Sequence, residues 1–328
     1  MKVLITGANG FVGSHILDAL LEAGVAVRIL LRKTSNTRLI QHHLPHVEVH
    51  YYAGIDSPAG PQEAMRGVEC VVHCAGKTKV LRIREYYEAN QHGTRNVVEA
   101  ANRHGGSLRH LILISTRAVS GPSTRDNLSR EDATPAPVSE YGKSKLLGER
   151  EVTGACEVPY TILRPSAVYG PRDSDFLHAF RAVRARLMPL FDGGRQEINL
   201  VFARDVARAV LRVMCEPKAS GKIYNVASPQ RSTTREFLEE IARQMHVRAL
   251  PLYLPSAALY PVCLVQEAVS HLRGRPSILS RQKFHELRAA GWACCIERIR
   301  QDLGFVADTP LSDGVRQTIA WYEQHGWL

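Results

Sequence analysis

Residues 6 to 13 constrain the fold more than any other stretch of the chain. They read Thr6-Gly7-Ala8-Asn9-Gly10-Phe11-Val12-Gly13, between a short β-like run, Val3 to Thr6, and a helical pattern from about Phe11 to Ala23. A strand must turn sharply here into a helix. Gly7 permits the tight turn, Gly10 removes a side chain where backbone would approach a pyrophosphate, and Gly13 lets the helix pack close on the sheet. The helix start adds unpaired N–H groups and the positive end of its dipole. The alternative is a glycine-rich turn with no ligand. The order strand, turn, helix favours a dinucleotide site, with Gly7, Asn9, Gly10, Phe11, Val12 and Gly13 as its residues.

The pattern continues along the first 165 residues. Val25 to Leu31, Val47 to Tyr52, Cys70 to Cys74, Leu111 to Ser115 and Tyr160 to Leu163 are strand candidates, and Tyr86 to Arg103 and Tyr141 to Thr153 are helical stretches between them. Strands alternating with helices predict an α/β fold, a doubly wound parallel sheet covered on both faces. After Pro165 the pattern changes to a basic helical stretch from about Phe176 to Arg186. Residues 199–226 carry a strand-helix pair and a short strand that look like a return to the sheet. The remainder of 166–328 is mostly helical and predicts a smaller lobe.

Composition is that of an average soluble chain: 45% hydrophobic and 23% charged residues in 328. The net charge of +10 raises nucleic acid as a partner, but no zinc finger, helix-turn-helix signature or aromatic-rich basic strand supports it. Seven cysteines, none in a Cys-x-x-Cys pair, and no histidines at zinc spacing predict no metal and a reducing, cytoplasmic setting. Met1-Lys2 runs straight into Val3-Leu4-Ile5, so no signal peptide is expected. Residues 249–266 hold no charge, but Pro251, Pro255 and Pro261 argue against a membrane-spanning helix. The plain reading is an apolar segment packed inside the smaller lobe. The sharper reading is a wall for an apolar substrate, or a surface that dips into a membrane.

The second strand ends at Arg32-Lys33 rather than at an acidic residue that would bind the ribose 2′-OH of NAD. A positive residue suits the 2′-phosphate, so NADP(H) is preferred, with NAD(H) the alternative. Ser35 can add a hydroxyl. Further on, Ser115-Thr116 ends a strand, and Tyr141 and Lys145 share one helix face at i and i+4. An ammonium beside a phenol favours phenolate. Tyr141 can then exchange a proton with a substrate oxygen, with Thr116 orienting that oxygen and Lys145 holding the nicotinamide ribose.

With these motifs in this order, the chain resembles the extended short-chain dehydrogenase/reductases, also called the NAD-dependent epimerase/dehydratase family. The resemblance spans nearly the whole chain. Val72-His73-Cys74-Ala75-Gly76 is similar to the segment lining the cofactor, which implies contacts from Cys74, Ala75 and Gly76. Asn90-Gln91-His92-Gly93-Thr94 is similar to the family's Asn-x-x-Gly-Thr helix, whose Asn supports the catalytic geometry. Arg164-Pro165-Ser166-Ala167-Val168 resembles the segment at the carboxamide, which implies Pro165 and Val168; Ser115, Tyr141 and Lys145 also line the cofactor by this resemblance. It implies a Rossmann domain over residues 1–165, a substrate lobe over 166–328, and a homodimer through the helices at 86–103 and 141–153.

The second strand resembles the dihydroflavonol-reductase and 3β-hydroxysteroid-dehydrogenase branch. Ala53 replaces a common Asp, leaving Asp56 as a candidate at the adenine. Arg117-Ala118 replaces the Asp-Glu pair of sugar dehydratases. Ile198 falls where nucleotide-sugar members carry an Arg, and Arg273-Gly274-Arg275-Pro276 lacks their anchor motif. Arg181, Arg184, Arg186 and Arg195 either bind an anionic substrate or form a solvated face. The expectation is an oxidoreductase that interconverts a secondary alcohol and a ketone; the alternative is a sugar or nucleotide-sugar epimerase with a retained cofactor.

Overall fold

The computed structural model describes residues 1–54, 59–104, 106–274, 276 and 281–328, without the side chains of residues 282 and 283. The first apolar run becomes the central strand, β1 (Lys2–Thr6), buried from Val3 onward. Gly7 turns the chain at φ 75°, and α1 (Phe11–Glu22) follows. Then come β2 (Ala26–Arg32), β3 (Glu48–Tyr52), α2 (Ala59–Ala64), β4 (Cys70–His73), α3 (Arg84–Tyr87), α4 (Gly93–Arg103), β5 (His110–Ile114), α5 (Glu140–Ala155) and β6 (Tyr160–Pro165). In the second lobe lie β7 (Ala167–Tyr169), α6 (Leu177–Arg184), β8 (Leu187–Phe191), β9 (Glu197–Phe202) and α7 (Ala203–Met214), before β10 (Lys222–Val226).

The main sheet runs β3-β2-β1-β4-β5-β6-β10, with every pair parallel. The order reverses between β1 and β4, so a crevice opens at the carboxyl ends of those strands. Both faces are covered. Ile16, Leu17 and Leu20 of α1 meet Val206 and Val210 of α7 on one side. Val97, Val98 and Ala101 of α4 meet Val152 of α5 on the other. This is the Rossmann, doubly wound parallel arrangement.

The smaller lobe adds β11 (Arg231–Thr233), α8 (Thr234–Gln244), β12 (Leu250–Leu254), α9 (Leu259–Arg273), α10 (Arg281–Leu287), α11 (Glu297–Leu303) and α12 (Leu311–Gln324). Phe180, Phe237, Leu190, Val315 and Tyr322 form its core.

Three features depart from the sequence reading. First, only part of residues 199–226 returns to the main sheet: β10 pairs with β6, whereas β9 pairs with β7 and β11 in a separate sheet. Second, the helix expected over 86–103 is interrupted by a π-helical turn at Glu88–His92.

Third, residues 249–266 pack inside the lobe only in part, through Leu259 and Cys263. Leu250, Leu252 and Tyr253 of β12 are exposed, as are Tyr260, Val262, Leu264 and Val265 of α9. β12 has β8 as its partner in a two-stranded sheet, which satisfies backbone without covering side chains. The prolines sit where each is tolerated: Pro251 on this short strand, Pro255 before a turn, and Pro261 in the first turn of α9.

Candidate active site

The loops after β1, β4, β5 and β6 converge at the crevice. The glycine turn is closed on its inner side. A Cβ on Gly7 would lie 2.6 Å from the Ala75 nitrogen, and one on Gly13 would lie 2.1 Å from the Gly7 carbonyl oxygen. Gly10 is exposed, and a Cβ there would meet only the Gly7 oxygen, at 3.3 Å. α1 has no side-chain cap and no acidic residue in its first turn. Its first N–H groups therefore face an open cradle, which fits a pyrophosphate. Phe11 and Val12 are half-buried at this helix start.

Asn9 donates from Nδ2 to the Asn36 carbonyl (3.1 Å), which draws the loop after β2 to the glycine turn. Arg32 and Lys33 are exposed there. The Ser35 hydroxyl accepts from the Arg32 N–H (3.1 Å), closing the loop into a turn. Asp56 and Arg275 lie outside the described residues.

Beneath the cradle a buried chain of hydrogen bonds locks β1, β4 and the helix at residue 90. The Ala75 N–H donates to Thr6 Oγ1 (3.2 Å), and Thr6 Oγ1 is 2.7 Å from His73 Nδ1. His73 Nε2 is 3.1 Å from Thr94 Oγ1, which donates to the Asn90 carbonyl (2.7 Å). Because Thr94 spends its proton on Asn90, His73 must donate from Nε2 and accept at Nδ1. Burial holds the His73 pKa down at about 3, so the ring is neutral, as this chain requires.

Asn90 ties the loop at 74–77 to α5. Its Oδ1 accepts from the Lys77 N–H (2.9 Å), and its Nδ2 donates to the Lys77 carbonyl (3.0 Å) and to Ser144 Oγ (2.9 Å). Ser144 Oγ donates to the Tyr141 carbonyl (2.8 Å). The π-helical turn carries Asn90 to this place between the loop at 74–77 and α5. A Cβ on Gly76 would sit 2.7 Å from Asn90 Oδ1, so that loop is pressed against it.

The helix α5 carries Tyr141 and Lys145. Ser139 caps it by accepting from the Gly142 N–H (3.1 Å). Tyr141 is half-buried beside Thr116, whose hydroxyl hydrogen-bonds the phenol oxygen. Burial raises the Tyr141 pKa above the ordinary phenol value, outweighing Thr116, and the Glu286 carboxylate pushes the same way. The sequence reading has Lys145 lowering the phenol; burial outweighs any such effect on Tyr141 here. The Lys145 ammonium instead donates to the Ile114 carbonyl (2.8 Å), and burial lowers its own pKa. Cys74, beside Lys145, is pushed up to about 11 by burial and stays a thiol.

Ser115 is committed elsewhere: its hydroxyl donates to Glu149, which also holds Arg164 in a buried ion pair (2.6 Å). Pro165 is buried and Val168 half-buried at the end of β6 and in β7. Glu149 was missed in the sequence, although it lies four residues after Lys145 on the same helix face. Glu286 was missed too. It accepts from Ser139 Oγ (2.6 Å) and faces Tyr86 and Tyr141 from α10, and no local pattern marks it.

Several other candidates point away from the site. Arg117 is turned into the fold, donating to the Gly121 and Ala293 carbonyls and to Ser123. Arg181 donates to the Trp327 carbonyl and Arg184 pairs with Glu323, so both serve the C-terminal segment. The Asp18 carboxylate, near His42 and His43, is already held by His43 and Arg172.

A family model described as the NAD dependent epimerase/dehydratase family matches residues 3–227. The chain belongs to this family. Its relatives include the ceramide reductase of Caulobacter vibrioides, 28% identical over 330 residues that cover 99% of this chain and 96% of the relative. The human sterol-4-alpha-carboxylate 3-dehydrogenase, decarboxylating, is 25% identical over 268 residues, covering 77% and 69%. Among solved structures, UDP-glucuronic acid 4-epimerase from Bacillus cereus, in complex with UDP-glucuronic acid and NAD, superposes with a TM-score of 0.79 at 21% identity, covering 99% of this chain and all of that one. The chain is thus an NAD(P)-dependent enzyme of the extended short-chain dehydrogenase/reductase type.

Proposed function

We propose that this enzyme interconverts a secondary alcohol and a ketone with NADP(H), on a substrate that is apolar or mixed in character. The observation that carries the reading is Tyr141: half-buried, hydrogen-bonded by Thr116, and kept protonated at neutral pH. When bound, the nicotinamide supplies the hydride or accepts it. In reduction Tyr141 gives its phenol proton to the carbonyl oxygen, Thr116 orients that oxygen, and the phenolate recovers a proton from solvent. In oxidation Tyr141 works as the base. Lys145 lies one turn further along α5 and would hold the nicotinamide ribose.

Dehydration needs a second proton donor and acceptor beside Tyr141, and Arg117 stands in that place with its guanidinium buried in the fold. A carboxylate, Glu286, faces the phenol and disfavours an anionic group seated there. The alternative, a sugar or nucleotide-sugar epimerase, uses the same Tyr141 but returns its cofactor unchanged, and the nucleotide-sugar complex of the Bacillus cereus structure is the observation that keeps it in view. The reading extends to a cytoplasmic homodimer joined through the helices at 86–103 and 141–153.

Replacing Tyr141 by Phe removes the proton and leaves the ring. Turnover is expected to fall by about 10²- to 10⁴-fold, with NADPH binding retained in a fluorescence titration. Unchanged turnover would remove Tyr141 from the mechanism.

A further inference from the structure

Among the described residues, most of the exposed large apolar side chains fall on β8, β12 and α9. Leu187 of β8 lies beside Leu250 of β12 in the parallel pair, and Leu250 is 69% exposed. Leu252 and Tyr253 follow on β12. On α9, Val265 is 62% and Leu272 88% exposed, with Tyr260, Val262 and Leu264 also open. Yet α9 is not short of a buried side: Leu259 and Cys263 pack with Phe284. It is apolar toward both the protein and the solvent. Single exposed leucines need no explanation, but a continuous apolar patch marks an interaction surface.

The rim of this patch is basic. Arg186 precedes β8, Arg248 precedes β12 and Arg273 ends α9; all three are exposed, and none has an ion pair among the described residues. The acidic residue of α9, Glu267, is neutralised by Arg281 (2.9 Å). Tyr253 and Tyr260 supply rings with one polar end, suited to a boundary between water and hydrocarbon. No helix among the described residues is long and apolar enough to cross a membrane.

We propose that β8, β12 and α9 form a docking surface for a lipid bilayer carrying anionic headgroups, with α9 lying in the plane of the interface. The apolar side chains would enter the headgroup boundary while Arg186, Arg248 and Arg273 meet lipid phosphates. Apolar burial and charge complementarity are both needed, and this region supplies both. The surface stands apart from the catalytic reading, because vesicle binding is measured without turnover. It also adjoins the site: α10 packs on α9 and its Glu286 accepts from Ser139, the cap of the catalytic helix.

Co-sedimentation of the full chain with phosphatidylcholine vesicles, with and without phosphatidylglycerol, tests this. Binding to the anionic vesicles is expected, weakening as salt rises. Val265→Asp should weaken it by about tenfold or more. Leu272→Ser, at a position already open to water, should weaken it without touching the fold, as an unchanged thermal midpoint would show. Arg273→Glu should reduce binding to the anionic vesicles more than to the neutral ones. The proposal fails if the wild-type chain does not sediment with the vesicles, or if all three variants bind as well as it does. It also fails if the chain self-associates through this patch, seen as a concentration-dependent sedimentation coefficient that Val265→Asp abolishes.

Discussion

At the end of β2, Arg32 and Lys33 are exposed with no ion pair among the described residues, and the hydrogen bond from Asn9 to Asn36 draws the loop that follows to the glycine turn. A 2′-phosphate seated there would gain charge-assisted hydrogen bonds from Arg32. Arg32→Asp is expected to weaken NADPH by about 10- to 100-fold and NADH far less, as equilibrium titration of each would show; equal losses would mean Arg32 does not read the phosphate. Tyr141 makes a second case. Its pKa lies above the ordinary phenol value, so the proton is in place across the neutral range. The reductive rate should stay flat through neutral pH and fall only above about 10. The oxidative rate should rise with pH, since it needs phenolate. A reductive rate that drops as pH rises through 7 would contradict the assignment. Gly7, Gly10, Gly13, Tyr141 and Lys145 were legible in the sequence because their chemistry is tied to spacing along one turn or one helix face. The direction of the Tyr141 shift was not, because burial is a property of the assembled fold.

The helix α5 joins several jobs on one face. Tyr141, Lys145 and Glu149 follow at intervals of four, and Glu149 reaches both Ser115 on the loop after β5 and Arg164 on β6. Arg164 and Glu149 are each only 3% exposed. Removing one partner leaves the other charge buried alone, so Glu149→Ala should cost about 3–5 kcal/mol in denaturant unfolding. A loss below about 1 kcal/mol, the range of surface pairs, would show that the pair is relieved by solvent. The strands of the main sheet and α1 matched their sequence patterns to within a residue or two, since apolar runs bounded by turn residues report burial directly, whereas β7, β8, β11 and β12 were not seen. The π-helical turn at Glu88–His92 escaped, because it arises from fitting Asn90 between the loop at 74–77 and α5. The segment 249–266 escaped for the opposite reason: an uncharged run does not say whether protein or something else covers it.

On the scale of the whole molecule, the dinucleotide crevice belongs to the first sheet and the carboxylate facing Tyr141 comes from the smaller lobe, through Glu286 of α10. Arg117 fastens the two by binding the Ala293 carbonyl from the loop after β5. The family and the fold were readable because they depend on motifs. The pocket beside Tyr141 was not, because Glu286 arrives from 145 residues away in the chain. Of the net charge of +10, first a hint of nucleic acid, the proposals use Arg32 and Lys33 at a 2′-phosphate and Arg186, Arg248 and Arg273 around β12 and α9. The central claim is net hydride transfer to a carbonyl. Its most direct measurement is incubation with NADPH deuterated at the transferable nicotinamide position and a panel of apolar ketones, followed by mass analysis of the products. The account expects a carbinol carrying one deuterium for each NADPH consumed. Interconversion of a nucleotide sugar with no deuterium gained and no NADPH lost, while every ketone is left untouched, would contradict it.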